Sequence, residues 1–416
     1  MSPAHGLSLT LDKQMAIAIE TTPTRKPETF PALNGLRFLA AIAVVFFHYA
    51  PEVTGYSHVP KLIQHLISEG PAAVGFFFIL SGFVLSYRHL QRPLVETKAS
   101  FYWARVLRLY PAYLIAFLLF APIAAQKYLV HAQASGHRTF ALSAALSAFM
   151  LQAWTPLSQA WNGPSWSLSV EAFMYLIFPF TALRVLKLSS RKATCLFLTS
   201  WLVPAGFASV FALGLISEKS WDVILRNNPI LWAPLFLTGI CAARFIPVWL
   251  QVPKRAANVI STILFVTVVL AAMLWPMKGS EVFITGGIAP LLVALIVCFT
   301  RETGWLTKLL GSKLLDALGQ VSYNIYILQS PAWHYWQALT NHLMHLPLEA
   351  AKVTIWQFVS FLPVLILGSF VVQRFVEIPV RQFLRTPRPV TATYSRREAD
   401  FSMERSELTE TATVAE

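Results

Sequence analysis

Apolar stretches recur along most of the chain, at 32–51, 71–88, 108–126, 142–155, 167–187, 194–216, 229–246, 257–276, 284–300, 315–337 and 354–376. Most have the length that a hydrocarbon core about 30 Å thick demands of a helix. They also lack the polar stripe that a helix on a soluble core would show. The pattern therefore predicts an all-α integral membrane protein, a polytopic bundle with one membrane domain over 31–385. Residues 1–30 are polar and mixed in charge, and the pattern predicts a flexible cytoplasmic arm there. Residues 386–416 are rich in Thr, Arg and Glu and poor in large apolar side chains, which predicts a disordered cytoplasmic tail. No internal repeat is visible, and the first apolar run is expected to act as an uncleaved anchor.

Composition strengthens this picture. The 416 residues are 56% hydrophobic and 13% charged, against about 25% charged in a typical soluble domain. The three cysteines, Cys195, Cys241 and Cys298, lie in or near apolar segments without CxxC spacing and read as small buried hydrophobes.

Charge changes the count of crossings. The formal net charge is +13, which raises the question of nucleic acid. The basic residues instead sit in alternate loops, the distribution that fixes topology and meets anionic lipid heads. Residues 88–108 hold Arg88, Arg92, Lys98, Arg105 and Arg108, and 184–192 hold Arg184, Lys187, Arg191 and Lys192. With the later clusters and the two terminal stretches, 26 of the 33 Lys and Arg can share one side. That requires one segment between 108 and 184 not to cross. The weakest is 142–155, which is short and runs into Trp154, Pro156, Trp161, Pro164 and Trp166. Such a segment suits an interfacial or re-entrant position. The expectation is about ten transmembrane helices plus a re-entrant or short helical segment, both termini cytoplasmic, in the cell's inner (plasma) membrane.

Ionisable groups inside a span are costly and mark function or pairing. Arg37 and His48 lie eleven residues apart on one face of the first span, separated by about 16 Å along a helix axis. One reading is a ligand with an anionic head at Arg37 and a reactive end near His48. The other is an arginine that snorkels to lipid phosphate and an interfacial histidine. Glu171 lies about one turn inside the span that begins near Ser167, where a bare carboxylate is expensive. A His48–Glu171 contact is one expectation, and a packing ion pair elsewhere is the other. His342 and His345 have a metal-like spacing in a loop without evident partners, so no metal site is expected. No GxSxG, HExxH, GxGxxG or P-loop is present.

Together these residues resemble the acyltransferase family 3 membrane proteins, which O-acylate cell-surface glycans and some secondary metabolites. Residues 33–48 are similar to the family's first-helix signature, an Arg and a His separated by ten residues. Gly75-Phe76-Phe77-Phe78-Ile79-Leu80-Ser81-Gly82-Phe83 resembles its second-helix motif, and Arg105, Arg108, Tyr110 and Pro111 its basic run before the third helix. Residues 166–175 resemble its tryptophan–serine–glutamate segment, and Ser322-Tyr323-Asn324-Ile325-Tyr326 and Val376-Glu377-Ile378-Pro379 its late motifs. The resemblance runs from about 31 to 385. There are departures: relatives often carry a His where Gln329 stands and a second acid where Ala172 stands.

The resemblance implies an acyl-CoA donor, usually acetyl-CoA, a glycan hydroxyl as acceptor, and no permanently bound cofactor. Arg37, Arg105 and Arg108 would then meet the phosphates, since arginine favours bidentate contact with them. His48 would be the general base or the first acyl acceptor. Glu171 would orient the imidazole as an acid does in a triad, and Ser81 or Tyr323 would offer an oxyanion donor. Some relatives carry a soluble hydrolase-like transferase domain at the C-terminus, so the resemblance implies that this chain acts either alone or with a separate extracytoplasmic transferase partner. The competing readings are a transporter of a glycan or lipid-linked sugar and a structural membrane subunit. Inverted repeats and paired broken helices would favour transport.

Overall fold

The structure is a computed structural model. It describes residues 30–91, 97–130, 136–212, 226–274, 287–301, 304–345 and 353–384. All of the expected arm but Phe30, and all of the expected tail, lie outside the described residues. Among the described residues there is no strand, only an isolated bridge between Val53 and Val353.

The helices follow the apolar pattern. They are α1 (Pro31–Tyr49), α2 (Lys61–Ser68), α3 (Gly70–Gln91), α4 (Lys98–Ala125), α5 (Gly136–Ala148) and α6 (Trp166–Leu186). Then come α7 (Ser190–Ala212), α8 (Pro229–Ala242), α9 (Ile246–Gln251), α10 (Lys254–Leu274), α11 (Ala289–Cys298) and α12 (Trp305–Leu310). The last are α13 (Lys313–Gln320), α14 (Ser322–Leu343), α15 (Ile355–Val372) and α16 (Ile378–Phe383). Seven helical stretches are long and apolar enough to cross a membrane: Pro31–Glu52, Lys61–Leu90, Lys98–Val130, Gly163–Leu186, Pro229–Gln251, Lys254–Leu274 and Ile355–Phe383. The remaining expected crossings fall on α7, on the more polar α14 and on α11, whose described helix has 10 residues.

Two segments differ in detail from the apolar pattern. The stretch 315–337 is divided at Val321, where α13 stops and α14 begins. The stretch 142–155 is not one helix either. Helix α5 has 13 residues, roughly 20 Å of helix, too short to span. Met150 then takes a left-handed φ of 55°, and residues 151–165 run as turns and short 3₁₀ pieces.

Irregular backbone among apolar helices survives only where its polar groups are met. Here side chains meet them. Gln152 Nε2 donates to the Ser165 carbonyl at 2.9 Å, and Trp161 Nε1 donates to the Phe117 carbonyl at 3.1 Å. Tyr128 donates to the Ala160 carbonyl at 3.1 Å, and Ser169 Oγ accepts from the Ala153 amide at 3.3 Å.

Prolines inside helices create a second set of orphans, because each removes the donor for the carbonyl four residues earlier. Pro331 frees the Ile327 carbonyl in α14, and Asn162 Nδ2 takes it at 3.0 Å. Pro111 frees the Leu107 carbonyl in α4, and Arg381 Nε takes it at 3.1 Å. Arg381 also donates to the Arg108 carbonyl at 3.2 Å. The same arginine is paired with buried Glu377, which accepts from Asn324 Nδ2 at 3.1 Å. The two late motifs therefore form one clamp. Asn324, Glu377 and Arg381 tie α14 and the C-terminal helix to the kinked turn of α4 that carries Arg105 and Arg108.

At the N-terminal end of α1, the short helices α12 and α13 pack against its first turns. A Cβ at Gly35 would lie 2.1 Å from the Leu310 carbonyl oxygen, and one at Gly319 would lie 2.1 Å from that of Asn34. This close approach brings Asp316 to Asn34.

Candidate active site

One cavity of ≈ 180 Å³ lies between α1, α3, α4, α6 and α14. Its polar wall holds Arg37, Arg88, Arg105, Arg108, Glu171 and Tyr175, and its apolar wall includes Phe77, Phe78, Leu168 and Leu109. Four arginines thus face one carboxylate. Among the described residues the ion pair within 4 Å is Glu377–Arg381, and none forms to the cavity arginines. Four guanidinium groups against one carboxylate leave the cavity with a positive balance.

Three of the four arginines have evident neighbours. Asn34 Nδ2 donates to Asp316 Oδ1 at 2.7 Å, which turns the amide oxygen of Asn34 toward Arg37 Nη1 at 3.4 Å. Arg105 lies 5.5 Å from the Phe101 ring centroid and 5.8 Å from that of Tyr175, and its Nε is buried with no hydrogen-bond partner in the protein. A buried donor left over in this way is costly unless something else accepts from it. Arg108 sits on the turn whose carbonyl is held by Arg381.

Glu171 belongs to this cavity. Its Oε1 accepts from the Tyr175 hydroxyl and from Ser81 Oγ at 3.4 Å, and Ser81 also lies 3.3 Å from the Tyr175 hydroxyl. The expected partnership of Glu171 with His48 is not what the structure shows. His48 Nδ1 lies 3.1 Å from Gln329 Oε1 instead. Tyr323 lines the cavity, but its hydroxyl donates to the Leu109 carbonyl at 2.6 Å. A hydroxyl has one hydrogen to give, so that proton serves α4 and is not available to an oxyanion. The Ser81 proton is likewise directed to Glu171 or Tyr175.

His48 is not part of the cavity lining. The two regions meet through α14, where Tyr326 lines the cavity and its carbonyl accepts from Gln329 Nε2 at 2.7 Å. The Tyr326 hydroxyl is paired with Ser167 Oγ at 2.8 Å, so the wall between them is fixed from α6 as well.

The structure brings Arg37, Arg105, Arg108, Glu171, Ser81 and Tyr323 to one cavity and places His48 beside Gln329. Arg88, Tyr175 and the Asn34–Asp316 pair were missed in the sequence. Arg88 was visible there only as one of several loop charges. Among the described residues no group of three or more His, Cys, Asp or Glu gathers to hold a metal.

Comparison with known proteins gives the chain's family. The acyltransferase domain family matches residues 30–374. A Streptomyces mycarofaciens protein named as the acyltransferase MdmB is 32% identical over 183 residues, 43% of this chain and 44% of that protein. A Staphylococcus aureus (strain COL) protein provisionally named as an O-acetyltransferase is 21% identical over 387 residues, 87% of this chain and 59% of that protein. An uncharacterised Haemophilus influenzae protein is 27% identical over 226 residues, 50% of this chain and 89% of that protein. The chain thus spans about half the length of the first two relatives. No solved structure matches it. With a family match that covers most of its length, this chain belongs to acyltransferase family 3.

Proposed function

We propose that this chain is a membrane O-acyltransferase that moves an acyl group, acetyl by default, from acyl-CoA to a hydroxyl of a cell-surface or exported glycan. The observation that carries this reading is the cavity in which four arginines face one carboxylate, next along α1 and α14 to a histidine. Coenzyme A presents several phosphate oxygens and a long thioester arm. Arg37, Arg88, Arg105 and Arg108 suit the phosphates. The apolar wall at Phe77 and Tyr326 suits the arm on its way to His48. Glu171, held by Tyr175 and Ser81, fixes the far side of the cavity and offsets part of the arginine charge.

The same reading gives the molecule a direction. Ten crossings with both termini cytoplasmic place the arginine end toward the cytosol and His48 toward the outer half of the plasma membrane. Reporters fused near Gly136 and near Ser189 should then report opposite sides, and same-side signals would overturn this topology.

The activity is tested with the full chain in lipid vesicles and labelled acetyl-CoA. Thiol release together with label on a hydroxyl acceptor is expected. Movement of a sugar across the vesicle wall without thiol release would identify a transporter instead. Within that assay, Arg108→Gln should raise the KM for acetyl-CoA by about 10- to 100-fold, the loss of one charge-assisted phosphate contact. A KM unchanged in the variant would remove Arg108 from the donor site.

A further inference from the structure

We propose that Gln329 is a positioning residue that sets the tautomer of His48, holding the proton on Nδ1 and leaving Nε2 as the free base. The argument begins with the amide. Gln329 is fully buried on α14, and its Nε2 lies 2.7 Å from the Tyr326 carbonyl oxygen. A carbonyl only accepts and an amide nitrogen only donates, so this contact fixes which way the amide faces. Its Oε1 is then the atom 3.1 Å from His48 Nδ1. That oxygen also only accepts, so the hydrogen between them sits on the imidazole. A neutral imidazole has one N–H. With Nδ1 protonated, Nε2 carries the lone pair.

The surroundings hold the amide in place. Tyr326 is tied to Ser167 through its hydroxyl. The next carbonyl along, that of Ile327, is freed by Pro331 and taken by Asn162. The turn of α14 that carries Gln329 is thus anchored from outside the helix on both sides of the Tyr326 carbonyl. Gln329 is the residue of α14 that touches His48. A glutamine there supplies an acceptor that cannot itself take up a proton.

This inference rests on the acyl-transfer reading for its use. In that reaction the acceptor hydroxyl oxygen bonds to the thioester carbon and the carbon–sulfur bond breaks. The hydroxyl proton passes to Nε2 and then to the departing thiolate. The products are the ester and free coenzyme A thiol, and the imidazole returns neutral. An imidazole with its hydrogen on Nε2 has no lone pair there to begin the cycle.

The test uses the full chain in lipid vesicles with ¹⁵N-labelled histidine. The His48 signals are identified by their loss in His48→Ala. The nitrogen shifts should show the Nδ1–H tautomer in the wild type and a mixture or the reverse in Gln329→Met, a side chain of similar size without the acceptor. Acetyl-CoA thiol release by Gln329→Met should fall at least about tenfold in kcat with KM unchanged, since loss of the correct tautomer slows chemistry more than binding. An Nε2–H signal in the wild type, or an unchanged kcat in the variant, would overturn the inference. Full turnover in His48→Ala would instead overturn the acyl-transfer role of His48, and the nitrogen shifts would still decide the tautomer.

Discussion

His48→Ala is expected to lower acetyl-CoA-dependent turnover about 10³-fold, within the range that a positioned general base contributes, with little change in KM. The split follows from the geometry. The arginines that suit the donor's phosphates line a cavity that His48 does not line, so removal of the imidazole leaves donor binding in place. A hydroxyl attacks a thioester only as its proton leaves, and at neutral pH a neutral imidazole is the side chain suited to take it. The His48 ring meets the Gln329 amide oxygen, not an acid. The measurement is thiol release under saturating acetyl-CoA, together with KM, for wild type and variant in the same vesicles. Turnover within a few-fold of wild type would sink the role. A raised KM with unchanged kcat would move His48 into the donor site.

Much of this site was legible in the sequence because the membrane makes charge conspicuous. Arg37, His48 and Glu171 stood out as polar residues in apolar segments, and the structure places Arg37 and Glu171 on one cavity. The helices were legible for the same reason, since a long apolar run has few other uses. What was hidden depended on partners far apart in the chain. Nothing near Glu171 in sequence shows that Ser81 is its neighbour, and periodicity alone does not pair His48 with a residue 281 positions away. The break at Val321 and the clamp of Asn324, Glu377 and Arg381 were equally hidden. There a proline frees a carbonyl, and the side chain that meets it comes from another helix. The segment 142–155 was expected not to cross, because of the tryptophans and prolines that follow it, and its residues divide between the end of α5 and irregular backbone. Its network of side-chain donors was not readable.

Gly239→Ala, by contrast, should cost about 3 kcal/mol or more through packing alone. Among the described residues, helices α3 and α8 pack extensively against one another. They meet backbone to backbone. A Cβ at Gly239 would lie 2.0 Å from the Ile79 carbonyl oxygen, and one at Gly82 would lie 2.2 Å from that of Phe236. Small residues permit such approach between membrane helices, where dispersion and close packing replace the hydrophobic drive of water. No side chain can yield at this contact, because the atoms met belong to a helix backbone. The helices must separate, and α3 carries Ser81 and much of the cavity wall with it. The matched control is Gly368→Ala on α15, where a Cβ would meet nothing within 4 Å. That change should be neutral or slightly stabilising, by up to about 1 kcal/mol, because alanine favours the helix over glycine. Thermal unfolding of the two variants in the same detergent separates the effects. Equal melting temperatures would show that the α3–α8 contact is looser than its geometry, whereas a large drop confined to Gly239→Ala would establish the glycine pair as what lets α8 pack against the helix that lines the cavity.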